Sequence, residues 1–158
     1  MKVSVFFTIL LFSFVSNGQQ INVKSDWSET VSSNEISEAG LDYAGTLTSD
    51  AAQSSISFSG GKFLGFYFVS VSKEEIDWDS RLSVWIRRTG DGNGSPFATI
   101  SGGTNYMELS DSEQTFYSGW NATGGTRRNV PVQYQMRGVS VVIPAKSYLL
   151  NVTYTLSD

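Results

Sequence analysis

Apolar and polar residues alternate with a period of two along much of this chain. Tyr148, Leu150, Val152, Tyr154 and Leu156 interleave with Leu149, Asn151, Thr153, Thr155 and Ser157, so the chain closes on a long half-buried strand. Val130, Val132, Tyr134 and Met136 repeat the pattern, with Pro131 near the start, where a missing donor is tolerated. Leu82, Val84 and Ile86 alternate with Arg81, Ser83, Trp85 and Arg87. Residues 63–71 are apolar on both faces, which predicts a central strand covered on each side. Shorter strands are predicted over 41–48, 54–58, 106–109, 115–117 and 139–143, and nothing after residue 18 has a helical period.

Glycine-rich turn signals separate these runs: Ser59-Gly60-Gly61, the stretch from Thr89 to Gly94, Ser101-Gly102-Gly103 and Gly124-Gly125. Eight or nine short strands punctuated in this way predict an all-β fold, an antiparallel β-sandwich of immunoglobulin-like or jelly-roll Greek-key type. A small closed barrel has no place for a segment as apolar on both faces as 63–71.

The N-terminus breaks the pattern. Lys2 precedes an apolar run over 3–15, and Ser16-Asn17-Gly18 places small residues at the −3 and −1 positions of a cleavage site. Residues 1–18 therefore read as a signal peptide and residues 19–158 as one β-sandwich domain beginning at Gln19. The run is short for a bilayer span and no later segment is apolar enough, so no transmembrane segment is expected. With no cysteine at the cleavage site a lipoprotein anchor is not expected either. The expected location is secreted, extracellular or at the cell surface. A domain of this size can bury a core without covalent staples.

Composition narrows the chemistry. The chain has neither histidine nor cysteine, which removes imidazole- and thiolate-based catalysis, their metal sites and disulfides. A net charge of −4, one unit more negative once Lys2 is gone, makes nucleic acid and anionic membranes poor partners. The expectation is a non-enzymatic protein without metal or organic cofactor, whose partners are other protein subunits or cell-surface glycans.

Glu74, Glu75, Asp77 and Asp79 gather around Trp78 and could hold calcium or supply a glycosidase acid and base; a solvated acidic hairpin is the simpler reading. Asp91-Gly92-Asn93-Gly94 resembles the start of a calcium loop without its later glutamate, and reads as a turn. Asn93, Asn121 and Asn151 begin glycosylation-type triplets, Asn151 within a predicted strand. The better binding candidates are aromatic. Trp85 lies outward between Arg81 and Arg87 if the aliphatic face of its strand is the core, and Tyr117 with Trp120 is expected to form a nearby platform beside the loop to Arg127 and Arg128. Flat rings beside polar donors suit sugar stacking and protein interfaces alike. Trp27 and Trp78 are expected to be packing residues.

The closing segment, from Pro144-Ala145-Lys146-Ser147-Tyr148 through the alternating residues to Asp158, resembles the last strand of bacterial surface β-sandwich families, among them spore coat protein U-like and fimbrial-subunit domains. It is also similar to the second half of the WxL cell-wall-binding signature, with Tyr148, Thr153 and Leu156 in place and Val152 and Tyr154 where that motif has leucine and tryptophan. The resemblance implies a structural or adhesive surface subunit. Such a subunit would assemble by strand addition, with the start of the mature chain, Gln19 to Val23, as a short donor. A carbohydrate-binding module is the alternative that the surface aromatics support. A carboxylate-pair glycosidase fits least, because so short a chain leaves little room for a cleft.

Overall fold

The computed structural model describes residues 4–13, 18–32, 43, 45–123 and 125–158, with side chains described from residue 18 onward. Every regular element among them is a strand: β1 Ser4–Ser13, β2 Gln20–Lys24, β3 Ser28–Ser32, β4 Thr46–Thr48, β5 Ser54–Ser59, β6 Gly65–Asp77, β7 Ser83–Arg88, β8 Asn93–Gly94, β9 Met107–Glu108, β10 Gln114–Asn121, β11 Arg127–Arg137 and β12 Tyr148–Ser157. One sheet runs β10-β6-β12-β1-β3 and the other β2-β5-β11-β7-β9, with β4 and β8 also paired to β11. The fold is an all-β sandwich. Its strands exceed the eight or nine expected because β1, β2, β3 and the two-residue β8, none among the expected strands, join the sheets, while 139–143 does not.

Alternation builds the core. β12 turns Tyr148, Leu150, Val152 and Tyr154 inward, and β6 contributes Tyr67, Val69 and Val71 beside them. The facing sheet supplies Ile56 and Phe58 from β5, Val84 and Ile86 from β7, and Val130, Val132, Tyr134 and Met136 from β11. Each such aliphatic or aromatic side chain gains roughly 1.5–3 kcal/mol on leaving water. Two polar atoms tie the layers together: the hydroxyls of Tyr134 and Tyr154 lie 3.0 Å apart across the sandwich, each satisfying the other. Trp27 is buried and stacks on Tyr134 with ring centroids 6.1 Å apart, while Trp78 meets Tyr148 edge-on and donates to Leu82 O at 2.9 Å. Both are packing residues, as expected.

Three elements depart from the sequence reading. Residues 139–143 form a turn, closed by Ile143 N donating to Ser140 O, instead of a strand. Gly138 starts the departure: at φ 88° it passes so close to Arg81 that a Cβ would lie 2.1 Å from the Arg81 carbonyl oxygen. The second departure is β6, which is central in its sheet but covered on one side alone, since two layers give each sheet a single inner face. Of the expected strand over 41–48, Thr46–Thr48 is observed; Leu41, Asp42 and Ala44 lie outside the described residues.

Ser4–Ser13, within the segment read as a leader, is strand β1 in the full chain, parallel to β12 from Phe7↔Tyr148 to Ser13↔Tyr154 and antiparallel to β3. It makes the one parallel pairing among the described strands. Of the cleavage-site residues, Ser16 and Asn17 lie outside the described residues.

The register of β12 is directly testable. Val152 is fully buried and Thr153 half-buried on the opposite face, so Val152→Asp is expected to cost about 4 kcal/mol and Thr153→Asp no more than about 1 kcal/mol. Equal thermal midpoints for the two variants would refute the inward assignment.

Candidate functional site

Trp85 and Arg87 occupy the outer face of the β7-β11 sheet, as the alternation predicts, but they are already partnered. Arg137 lies 3.8 Å over the Trp85 ring, and the indole nitrogen donates to Ser83 Oγ at 3.0 Å. The Arg87 guanidinium stacks on Tyr106 at 4.6 Å and donates to Gln133 Oε1, which also accepts from the Tyr106 hydroxyl. Arg81 lies before the strand and forks onto Asp79 at 2.6 and 2.8 Å, with a third bond to Val142 O. These hydrogen bonds hold the Asp79 carboxyl down at about 2.

Tyr117 requires a correction. It is 1% exposed and sits in the core, not on a platform with Trp120. Two features put it there. Along a strand, residues three apart face opposite ways, so Tyr117 and Trp120 cannot share a face of β10. A bulge between Thr115 and Tyr117 then carries Phe116 inward as well. Trp85 and Trp120 moreover lie on different sheets, so the expected single aromatic site is divided.

What the structure assembles around Trp120 is a different surface. Trp120 is directly opposite Phe66 on β6, and Ser118 opposite Phe68, on the outer face of the β10-β6-β12 sheet. Phe66 is 67% and Phe68 42% exposed; Phe63, in the turn leading into β6, is 68% exposed. Gly119, between the two outward residues of β10, faces inward where a Cβ would come within 2.4 Å of the Tyr67 hydroxyl. That hydroxyl donates to Thr99 O, and Thr99 in turn bonds Trp120 through N to the Trp120 carbonyl and through Oγ1 from the Trp120 N–H.

The register gives the face an order. One row runs Ser101, Ser118, Phe68 and Ser157; its neighbours are Trp120 with Phe66 on one side and Thr115, Ser70 and Thr155 on the other. None of these side chains is charged. At the end of the face Lys62 and Asp158 neutralise each other at 3.3 Å. Neighbouring strands here are spaced by about 5 Å and successive outward residues by roughly 7 Å, so the rings form a flat patch. Sequence reading assigned Phe66 and Phe68 to a covered strand.

The acidic candidates have partners within the chain. Glu74 accepts from Asn151, Glu75 pairs with Lys73, Asp77 with Lys146 and Asp79 with Arg81, so each carboxylate has its own partner. Among the described residues no three acidic groups converge as a metal site. Asp91 pairs with the buried Arg88, and Gly92 takes φ 63° in the turn that follows. Arg127 is buried too and donates to Asp91 O and Thr99 O, while Arg128 is exposed. Asn121 and Asn151 are buried, and Asn93 is exposed. At the other end of the sandwich a cavity of about 300 Å³, lined by residues such as Leu82, Met136, Val139 and Tyr148, carries no charged side chain.

Among the described residues no helix is long and apolar enough to cross a membrane. No protein-family model matches the chain, and no curated protein matches it.

The buried tyrosines generate a pH prediction. Burial pushes Tyr134 up to about 12 against its bond to Tyr154, and raises Tyr67, Tyr117 and Tyr154 as well. Above pH 10, their ordinary value, the unfolded chain loses phenolic protons that the native state retains. Stability contributed by these groups is therefore complete below pH 10 and falls as pH rises toward about 12. Thermal midpoints that stayed level through that window would contradict the buried placement.

Proposed function

We propose that this chain is an exported, non-enzymatic surface subunit of fimbrial-like type that acts by assembling with other protein subunits. One observation carries the reading: the segment read as a leader fills a strand position between β12 and β3. Export would remove it. β12 would then present the backbone of Tyr148–Tyr154 along an open edge, and β3, whose strand pairing is to β1, would lose its neighbour. Unpaired strand edges bind further strands, with backbone hydrogen bonds giving affinity and alternate side chains filling pockets.

The register of β1 against β12, parallel over seven residue pairs from Tyr148 to Tyr154, supports the same geometry for an incoming strand. The start of the mature chain is the natural donor in a second copy. Within its own sandwich Gln20–Lys24 is edge strand β2, paired to β5 with Ile21 buried, so donation requires it to leave that edge. The absence of histidine and cysteine supports the non-enzymatic part of the reading.

Mass analysis of exported material is expected to show Gln19 as the first residue; retention of Met1 would end the extracellular reading. Sedimentation of that material is expected to show oligomers growing with concentration, whereas the full chain, with its position beside β12 filled, stays monomeric. A mature protein that is monomeric throughout refutes assembly by strand addition.

A further inference from the structure

The outer face of the β10-β6-β12 sheet centres on β6 and β10, across from the side of β12 that β1 pairs with, and its chemistry points to a separate partner. From the pattern of side chains on this face we infer that it binds an uncharged polysaccharide, with Phe66, Phe68 and Trp120 as the stacking platform. The inference does not depend on strand addition, and either can fail alone.

Three observations select this occupant. First, the face is without charge over three successive rows, and the one ion pair at its end, Lys62 with Asp158, is internally neutralised. An anionic or cationic polymer, whether nucleic acid, acidic glycan or charged peptide, would leave its own charges unpaired here. Second, rings and hydroxyls are interleaved: Ser118 and Ser157 flank Phe68 in its row, and Thr155 lies one row along. A sugar ring presents an apolar C–H face and a rim of hydroxyls, so an aromatic face with hydroxyls beside it matches both parts. Third, a second copy of this chain is a poor match. Interfaces between proteins are depleted in serine, which is abundant on this face.

The exposure of the rings fits the same reading. Phe66 and Phe68 turn toward solvent on the face opposite the buried Tyr67, Val69 and Val71, and Phe97, 86% exposed, lies two residues before the Thr99 that holds Trp120. By contrast the aromatics on the opposite sheet are covered by arginines of this same chain.

The test is retention of the full chain on microcrystalline cellulose, curdlan and starch granules, with alginate and chitosan as anionic and cationic controls. The expected result is retention on at least one neutral polymer and not on the charged ones. Phe66→Ser and Phe68→Ser should each reduce that retention at least tenfold with the thermal midpoint unchanged, and Trp120→Ala should act in the same direction. The two phenylalanines are exposed enough that their replacement tests binding and not folding. Failure to bind any neutral polymer, equal retention on alginate or chitosan, or binding indifferent to Phe66→Ser and Phe68→Ser would each overturn the inference. So would a change in sedimentation on Phe68→Ser without polysaccharide retention, which would mark the face as a protein contact. Sedimentation of the mature chain reports on strand addition independently.

Discussion

Two layers, each with a single inner face, must supply every side chain of this core, and most of the structure follows from that restriction. Tyr134 and Tyr154 show how tight it is. Their hydroxyls arrive from opposite sheets in the middle of the sandwich, where a lone phenol would cost several times the net value of a hydrogen bond, and each is the other's partner at 3.0 Å. The pair holds β11 opposite β12 across the core, with the inward residues of both strands already set by their alternation. Trp27 stacked on Tyr134, and Phe116 packed against Tyr154, then seal the pair from water.

The same restriction explains where the buried charge sits. On β7 the inward alternation Val84, Ile86 continues to Arg88, which is buried and would be costly if unpaired. It is satisfied by Asp91, by Gly102 O at 2.5 Å and by Gly90 O, while Arg127 from β11 donates to Asp91 O and Thr99 O. Two guanidiniums thus hold the long connection between β7 and β10 against the end of the sandwich. Thr99 is the link to the surface: it accepts from Arg127 and from the Tyr67 hydroxyl, and it bonds the backbone of Trp120. The aromatic face is therefore placed by the core beneath it.

Much of this architecture is legible in the sequence wherever the period of two is long. β7, β11 and β12 carry three or more inward residues in strict alternation, and their inner faces follow from that alone. Local rules failed where tertiary context decided. Residues 139–143 have strand-forming side chains, but the close approach of Gly138 to Arg81 turns the chain before a partner can be met. β3 is short and polar apart from Val31, so no pattern announces it. Tyr117 was misplaced through a spacing that was visible: three residues from Trp120 on one strand means opposite faces, provided that the strand is seen to reach Asn121. Phe66 and Phe68 were misread for a subtler reason. Apolar residues on both faces of a strand indicate burial on both sides only when there is a third layer to cover it, and among the described residues no third layer covers Phe66 and Phe68.

Once the two outer faces are compared, the division of labour becomes physical. On the β7-β11 side, Arg137 covers Trp85, Arg87 covers Tyr106, and Gln133 accepts from both Arg87 and Tyr106; the polar and cationic groups there have already found partners within the chain. A ligand would have to displace those contacts before gaining its own. On the β10-β6-β12 side the rings have no arginine over them and the neighbouring groups are hydroxyls, which hydrogen-bond water readily and exchange it readily for another hydroxyl. Covering Phe66 and Phe68 there recovers apolar surface that the two-layer fold leaves in water, without breaking an internal contact first. The face with less internal chemistry is thus the one better prepared for an external partner, and it is distinct from the side of β12 that β1 pairs with.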